Sequence, residues 1–327
     1  MYFSANDSAV RFSGRWHITD RNATTTAPGG SIICAFQGNW AVLHFDTETN
    51  QQPFPHLWLC VDDGPRVEVP LDRFLRVEAR GNGNHHIEII FKSAVERQHR
   101  WYQPLIGKVT FCGFEADCAG ILPEDTRKVI EFIGDSITEG VLIDVQYCPE
   151  SIDQLNRVYQ DDVTATYAWL TAKSLNMRPV IMGYGATGIT VAGQGSVPRG
   201  EDAYAYCYNN APYVGSNADV IVINYGANDR SQKEAYLRGY SRFLDLVRSH
   251  NRNAIIVVLS AFYGVYATEL NDVVQSYNAE HHDGIIFIDT TGWIPQDPLH
   301  PLRDGHSIVA ANLTQRLSKM LGICIDL

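Results

Sequence analysis

The pattern of hydrophobic and polar positions changes about one third of the way along the chain. Before residue 120, short runs alternate apolar and polar residues with a period of two, and turn sequences such as Gly81-Asn-Gly-Asn separate them. Many short strands joined by tight turns predict an all-β sandwich or barrel. We expect strands at 31–36, 40–45, 57–61, 66–69, 74–78 and 86–91.

After residue 127, apolar runs rich in Val and Ile alternate with segments of helical periodicity. This alternation predicts an α/β domain, with a parallel sheet covered by helices on both faces. Five strands suit the flavodoxin-like order 2-1-3-4-5 in a three-layer fold. We expect the strands at 128–133, 178–183, 219–225, 253–260 and 284–289, and the helices near 162–175, 231–250, 267–282 and 305–321.

The segment 119–126 separates the two patterns, because it contains Gly and Pro and has no periodicity. A length of 327 residues also favours two domains over one. The predicted division is a β-sandwich domain at 1–120 and an α/β domain at 121–327. The segment Arg100-Trp-Tyr-Gln103, near the end of the first domain, is a candidate contact to the second.

Charge and cysteine content narrow the class of protein. A net charge of −11 argues against nucleic acids and anionic membranes as partners, because both require a basic face. The seven cysteines are scattered, without a C-x-x-C pair or zinc-ligand spacing, so reduced thiols are expected. No signal peptide and no membrane-spanning run is visible, which favours the cytoplasm, with secretion left open should a leader precede this sequence. A homo-oligomer is left open.

The first predicted strand of the α/β domain breaks at Gly134-Asp-Ser136. Ligands of open α/β folds bind at the carboxyl ends of the strands, and backbone N–H groups at such turns can hold an anion. Ser136 is therefore a candidate nucleophile. The alternative is a serine that only caps a helix.

Further chemistry-bearing residues follow the other predicted strands. Together they supply glycines, an amide, a carboxylate and an imidazole, which are the remaining parts of a serine hydrolase. These blocks are Gly183-Tyr-Gly-Ala-Thr-Gly188, Gly226-Ala-Asn228-Asp and Asp297-Pro-Leu-His300. The first also matches the dinucleotide fingerprint G-x-G-x-x-G, but the breaker-rich residues after it do not favour the helix that a nucleotide site needs.

These blocks, in this order, resemble those of the SGNH (GDSL-type) hydrolase family. Residues 9–120 are similar to the N-terminal jelly-roll domain of two-domain carbohydrate esterases of family 2. The resemblance implies a serine esterase that removes O-acetyl groups from sugars or plant-type oligo- or polysaccharides, as acetylxylan esterases do, through an acyl-enzyme. It implies an acetylated carbohydrate as substrate, with no cofactor and no metal. The alternatives are a short-chain carboxylesterase or lysophospholipase, and a glycan-binding protein with a silent hydrolase frame.

The resemblance also implies a role for each residue. Ser136 attacks the ester carbonyl, His300 takes and returns its proton, and Asp297 orients the imidazole. The backbone N–H groups of Ser136 and Gly188 and the amide of Asn228 stabilise the oxyanion.

Several of these assignments have competitors. The Asp297-Pro dipeptide is also a good helix start, and Asp304 is a competing acid. Gly185 competes with Gly188 as oxyanion donor, and His306 is expected to be structural.

Three aromatic residues are candidates for stacking on a sugar, with ordinary packing as the alternative: Tyr184, Tyr263 and Trp293. The first block departs from many family 2 esterases, which carry a run like Cys-Gly-Tyr where this chain has Glu139-Gly-Val-Leu. Since this segment flanks the nucleophile, the departure bears on leaving-group specificity.

Overall fold

The computed structural model describes residues 1–147 and 157–323. Cys148 and Cys324 lie outside the described residues. The other five cysteines carry free thiols, as the sequence predicts: Cys34, Cys60, Cys112, Cys118 and Cys207. None of the helices within the two described ranges combines the length and the hydropathy of a membrane-spanning segment.

The first ten strands form one large antiparallel sheet, in the jelly-roll-like arrangement expected for this domain. The sheet order is β3-β4-β10-β5-β9-β6-β7, with β1 paired to β10 and both β2 and β8 paired to β5. The strands are β1 (Tyr2–Ser4), β2 (Val10–Ser13), β3 (His17–Ile18), β4 (Ala23–Thr25), β5 (Ser31–Phe45), β6 (His56–Val61), β7 (Val67–Pro70), β8 (Phe74–Glu78), β9 (Asn84–Ser93) and β10 (Val109–Ala119).

Strand β5 corrects one expectation, because the two strands predicted at 31–36 and 40–45 are a single strand of 15 residues. The chain continues through Gly38, which has φ +113°, a backbone conformation that favours glycine. A Cβ atom at this position would lie 2.5 Å from Asp117 Oδ2 on the neighbouring strand. The pairing of β5 with β10 shifts register beside Asp117, so Gly38 sits at an irregularity in the ladder rather than in a turn.

The second sheet is parallel and has five strands in the order β12-β11-β15-β16-β17, which confirms the predicted 2-1-3-4-5 order. Strand β11, between β12 and β15, is buried along its whole length, so both of its faces carry apolar side chains. The five strands are β11 (Val129–Gly134), β12 (Arg178–Gly183), β15 (Val220–Asn224), β16 (Ile255–Leu259) and β17 (Ile286–Ile288). Strands β13 (Tyr206–Tyr208) and β14 (Ala211–Pro212) form a separate short pair.

Helices cover both faces of the parallel sheet. The longer ones lie where the periodicity predicts them, because their apolar residues recur every three or four positions, as in α5 with Tyr236, Tyr240, Phe243 and Val247 buried. The helices are α1 (Ser136–Glu139), α2 (Arg157–Gln160), α3 (Tyr167–Ser174), α4 (Gly200–Ala203), α5 (Lys233–His250), α6 (Ala267–His281) and α7 (Arg303–Leu321), with a 3-10 turn over Val163–Ala165.

The antiparallel sheet and the α/β part are in direct contact. Trp101 belongs to the same buried apolar cluster as Tyr184 and Ile133 of the α/β part, and Arg100 forms an ion pair with Glu139. The predicted contact through the segment 100–103 is therefore confirmed for its first two residues. The predicted domain boundary stays a prediction, and it falls between the end of β10 at Ala119 and the start of β11 at Val129.

Candidate active site

Ser136 is the first residue of α1, which follows the buried interior strand β11. The carboxylate of Asp135 caps this helix by accepting a hydrogen bond of 3.0 Å from the backbone N–H of Ile137. Helix α1 ends after one turn at Gly140, which has φ +88°. A Cβ atom at Gly134 would lie 2.2 Å from Thr138 Oγ1, so the tight turn requires glycine there. The strand, the cap and the glycines together fix the hydroxyl of Ser136 at the carboxyl edge of the sheet.

His300 reaches the same point from the segment between β17 and α7. Its Nε2 lies 2.9 Å from Oγ of Ser136. Burial lowers the pKa of His300 below its usual value of 6.5, because a desolvated imidazolium is disfavoured. At neutral pH the ring is therefore uncharged and Nε2 accepts the serine proton. This is the nucleophile–base pair that activates a serine.

The two side chains lie in a cleft of about 430 Å³. We call this space the catalytic cleft. Its walls mix apolar and polar side chains, with both a carboxylate and a guanidinium among them. The lining residues are Glu96, Ser136, Ile137, Ala186, Gln194, Ala227, Asn228, Arg230, Ser231, Leu299 and His300.

Asn228, which follows β15, also lines the catalytic cleft. Its Nδ2 donates to the carbonyl of Thr187 at 3.1 Å and lies 3.4 Å from Oδ2 of Asp135. The side chain is thus held between the turn before Ser136 and the loop after β12. Burial, together with the nearby charge of Asp229, raises the pKa of Asp135 to about 7.

Gly188 is not among the residues that line the catalytic cleft, and its role as oxyanion donor stays a prediction. Its backbone N–H already donates to the carbonyl of Val191 at 3.1 Å. A Cβ atom at this position would lie 2.6 Å from Oδ2 of Asp229, and that carboxylate accepts hydrogen bonds from the N–H groups of Ile189 and Thr190. The glycine therefore serves the packing of its own loop.

Ala186 is the residue of this loop that lines the catalytic cleft, and it has φ +59°. Gly185, the predicted competitor of Gly188, lies against the carboxylate of Glu96, because a Cβ atom there would be 2.2 Å from Oε2. The loop thus approaches the site two to three residues before the predicted glycine.

Asp297 is not placed beside His300. Its side chain is exposed, and within residues 157–323 it forms no hydrogen bond or ion pair with the imidazole. It does not cap a helix either, because α7 begins at Arg303 with Leu302 as its cap residue. The competing acid Asp304 accepts a hydrogen bond from the next backbone N–H, that of Gly305, at 2.8 Å.

His306 is buried in the first turns of α7, where its Nδ1 accepts the backbone N–H of Tyr167 at 3.0 Å. Burial lowers its pKa to about 3, so the ring stays neutral in this contact. This placement fits the structural role expected for it.

The three aromatic candidates for sugar stacking occupy different places. Tyr184 is fully buried and its hydroxyl lies 3.0 Å from Oγ1 of Thr26, so the prediction of a substrate contact is wrong for this residue. The ring of Tyr263 stacks with Arg230, and its hydroxyl donates to the carbonyl of Leu299, so it supports the cleft wall from behind. Trp293 packs against the core beside α7, under Arg316.

Two charged residues of the catalytic cleft are missing from the sequence-based candidates, Glu96 and Arg230. Arg230 directly follows the block that ends in Asn228-Asp229, and this adjacency was the available signal. Glu96 lies in a turn after β9 of the antiparallel sheet, and nothing in its local sequence marks it.

Glu139, the departure in the first block, is not among the residues that line the catalytic cleft. Its carboxylate forms a buried ion pair with the guanidinium of Arg100, and its side chain is 2% exposed. Among the described residues, no group of three or more His, Cys, Asp or Glu side chains could hold a metal ion.

Comparison with solved structures gives matches over nearly the whole chain. A family two carbohydrate esterase from Cellvibrio japonicus is 22% identical, with a TM-score of 0.80 and 98% of each chain covered. A family two carbohydrate esterase from Clostridium thermocellum, solved with cellohexaose, is 21% identical with a TM-score of 0.77, and covers 96% of this chain and 99% of its own. At these identities the likeness establishes the shared two-domain fold.

An acetyl xylan esterase from the rumen bacterium Butyrivibrio proteoclasticus is 19% identical, with a TM-score of 0.78, and covers 98% of this chain and 99% of its own. No curated protein matches the sequence. Residues 132–308 match the GDSL-like Lipase/Acylhydrolase family. Since this match spans more than half of the sequence, the chain belongs to the GDSL-like lipase/acylhydrolase family and is a carboxylic ester hydrolase.

Proposed function

We propose that this protein is a serine esterase that removes O-acetyl groups from sugars or from plant-type oligo- or polysaccharides through an acyl-enzyme. The observation that carries the proposal is the distance of 2.9 Å between Oγ of Ser136 and Nε2 of His300 inside an open polar cleft. A neutral histidine in contact with a serine hydroxyl is the arrangement that generates a serine nucleophile.

In the first half of the reaction, Oγ of Ser136 forms a bond to the ester carbonyl carbon while its proton moves to Nε2 of His300. The tetrahedral intermediate collapses, the carbon–oxygen bond to the sugar breaks, and the imidazolium gives its proton to the leaving alcohol. Water then repeats the sequence on the acyl-enzyme, which releases acetate and restores the serine.

The negative charge on the carbonyl oxygen requires hydrogen-bond donors. The backbone N–H of Ser136 belongs to the first turn of α1, where N–H groups have no acceptor within the helix. The amide of Asn228 lines the same cleft and is fixed by its bond to Thr187. These two donors take the oxyanion role, and a donor of this kind contributes about 10²–10³ in rate.

The walls of the catalytic cleft favour a polyhydroxylated leaving group. Gln194 and Arg230 offer acceptors and donors to sugar hydroxyls, whereas a lipid chain needs a continuous apolar wall. The structural relatives described as carbohydrate and acetyl xylan esterases share the two-domain fold, which supports the same substrate class for this chain.

The test compares acetate release from acetylated sugars and xylo-oligosaccharides with hydrolysis of octanoyl esters, for the unaltered protein and for Ser136→Ala. We expect acetyl esters to be preferred. The variant should lose activity by at least about 10⁴-fold while keeping its circular dichroism spectrum and melting temperature.

Each alternative function predicts a different result in this comparison of acetyl and octanoyl esters. A preference for octanoyl esters would indicate a lipase-like carboxylesterase or lysophospholipase. Glycan binding without hydrolysis would indicate a silent hydrolase frame. Substantial activity in the Ser136→Ala protein would refute the nucleophile assignment.

A further inference from the structure

Glu96 brings a carboxylate from the antiparallel sheet into the catalytic cleft. It lies in the turn after β9, and it lines the same cavity as Ser136 and His300. Its side chain is 15% exposed, so solvent screens its charge only weakly. The acid that the sequence placed beside the histidine, Asp297, is exposed and unpaired with it.

The carboxylate of Glu96 is held in place from two sides. Its Oε1 is 3.5 Å from Nη1 of Arg157, which also pairs with Asp161 at 3.2 Å. Its Oε2 lies against the Cα of Gly185, where a Cβ atom would come within 2.2 Å. A side chain at 185 would force the carboxylate of Glu96 to move, so glycine at this position allows the close approach.

The backbone of Glu96 is fixed as well. Its carbonyl accepts a hydrogen bond of 3.4 Å from Nη2 of Arg100, and the backbone N–H of Arg100 donates to the carbonyl of Gly195 at 2.9 Å. The same guanidinium pairs with Glu139, at the end of the helix that begins with Ser136. One buried arginine thus connects the turn that carries Glu96 to the helix that carries the nucleophile.

One charged group near His300 favours protonation of its imidazole, and the others disfavour it or are engaged with other residues. Burial has the largest effect on the pKa of His300 and lowers it. The charge of Glu96 has the next largest effect and raises this pKa, and the charge of Arg157 has a smaller effect and lowers it. Asp135 caps the turn before Ser136, His306 is neutral, and Arg303 is paired with Asp144 and Asp162. Within residues 1–147 and 157–323, Arg230 lies in the cleft wall and Asp297 lies at the surface.

We infer that Glu96 is the positioning residue that stabilises protonated His300 during catalysis, in place of Asp297. The inference rests on the proposed function. When Ser136 attacks, its proton makes His300 an imidazolium in a buried cleft, and a fixed carboxylate nearby offsets the cost of that charge. The antiparallel sheet therefore completes the active site of the hydrolase domain by supplying this charge.

The decisive variant is Glu96→Gln, which keeps the volume against Gly185 and removes the charge. We expect kcat at pH 8 to fall about tenfold with KM little changed. The acid limb of kcat/KM should move about one pH unit lower, since one pKa unit corresponds to a factor of ten. The conservative variant Glu96→Asp should recover part of both effects. The matched control Glu124→Gln changes an exposed carboxylate outside the catalytic cleft and should leave kcat and the pH profile unaltered.

A second measurement does not depend on turnover. In the Ser136→Ala protein, the pKa of His300 is read by NMR from the imidazole signal that disappears in the additional variant His300→Asn. Glu96→Gln should lower this pKa by about one unit. An unchanged pKa, or a pH profile that moves with Asp297→Asn and not with Glu96→Gln, would overturn the inference. Activity retained by Ser136→Ala would instead refute the proposed function and leave the NMR result to decide the role of Glu96.

Discussion

Two buried arginine–glutamate pairs connect the antiparallel sheet to the α/β part, and they do so at very different places. Arg15 pairs with Glu131 at 2.9 Å, in the middle of the interior strand β11, with both side chains 0% exposed. Arg100 pairs with Glu139 at the end of α1, three residues after Ser136. The first pair holds the body of the sheet, and the second holds the turn that presents the nucleophile.

The surroundings of the two arginines explain this difference. Arg15 also donates to the backbone carbonyls of Tyr204 and Tyr206, which are not among the residues that line the catalytic cleft. Arg100 instead donates to the carbonyl of Glu96. A buried ion pair is weak evidence for stability by itself, because desolvation offsets most of the attraction. We therefore distinguish the pairs by what each positions. The pair of Arg15 with Glu131 positions a strand, and the pair of Arg100 with Glu139 positions the catalytic cleft.

Breaking the pair of Arg100 with Glu139 should have the largest effect, because it lowers both the stability and kcat. Arg100→Met leaves Glu139 buried without a partner, so the free energy of unfolding should fall by about 3–5 kcal/mol. The turn of Glu96 and the end of α1 also lose their common anchor, and a displacement near 1 Å costs about 10² in kcat. Urea denaturation and kcat of the folded protein measure the two effects.

The double variant Arg100→Met with Glu139→Leu is the control for this prediction. Replacing both partners by apolar residues should recover most of the stability, since no unpaired charge remains. The loss in kcat should persist, because the anchor to Glu96 is still missing. Recovery of kcat together with stability would mean that the pair is only structural.

Breaking the pair of Arg15 with Glu131 should lower the stability and leave kcat unchanged. Arg15→Met leaves Glu131 in strand β11 without its ion-pair partner, with only the hydrogen bond from Ser216 remaining, and the expected loss in the free energy of unfolding is again about 3–5 kcal/mol. Measured at a temperature where the variant is folded, kcat and its pH profile should match those of the unaltered protein. A kcat that falls with Arg15→Met as steeply as with Arg100→Met would remove the distinction between the two pairs.

Strand order, and the residues that it brings together, can be predicted well from the sequence, whereas the packing of loops cannot. Ser136, Asn228 and His300 meet because each comes after a parallel strand, and the carboxyl ends of such strands share an edge. The role of Gly188 depends on how its own loop closes around Asp229, which no periodicity encodes. Glu96 comes from the other sheet, about 40 residues before Ser136, so only the contact between the two parts of the chain reveals it.

The smallest expected effect concerns Tyr184, which lies between the two sheets and was predicted to contact sugar. Its hydroxyl is 3.0 Å from Oγ1 of Thr26, and the guanidinium of Arg100 lies 5.3 Å above its ring. Tyr184→Phe keeps the ring under Arg100 and removes two buried hydrogen bonds, one with Thr26 and one of 3.4 Å to the carbonyl of Cys207, so the free energy of unfolding should fall by about 1–2 kcal/mol. Because the residue is fully buried, KM for acetylated xylo-oligosaccharides should not change. A several-fold rise in KM at unchanged stability would instead mean that the ring reaches substrate, as the sequence suggested, and that the two sheets separate there when sugar binds.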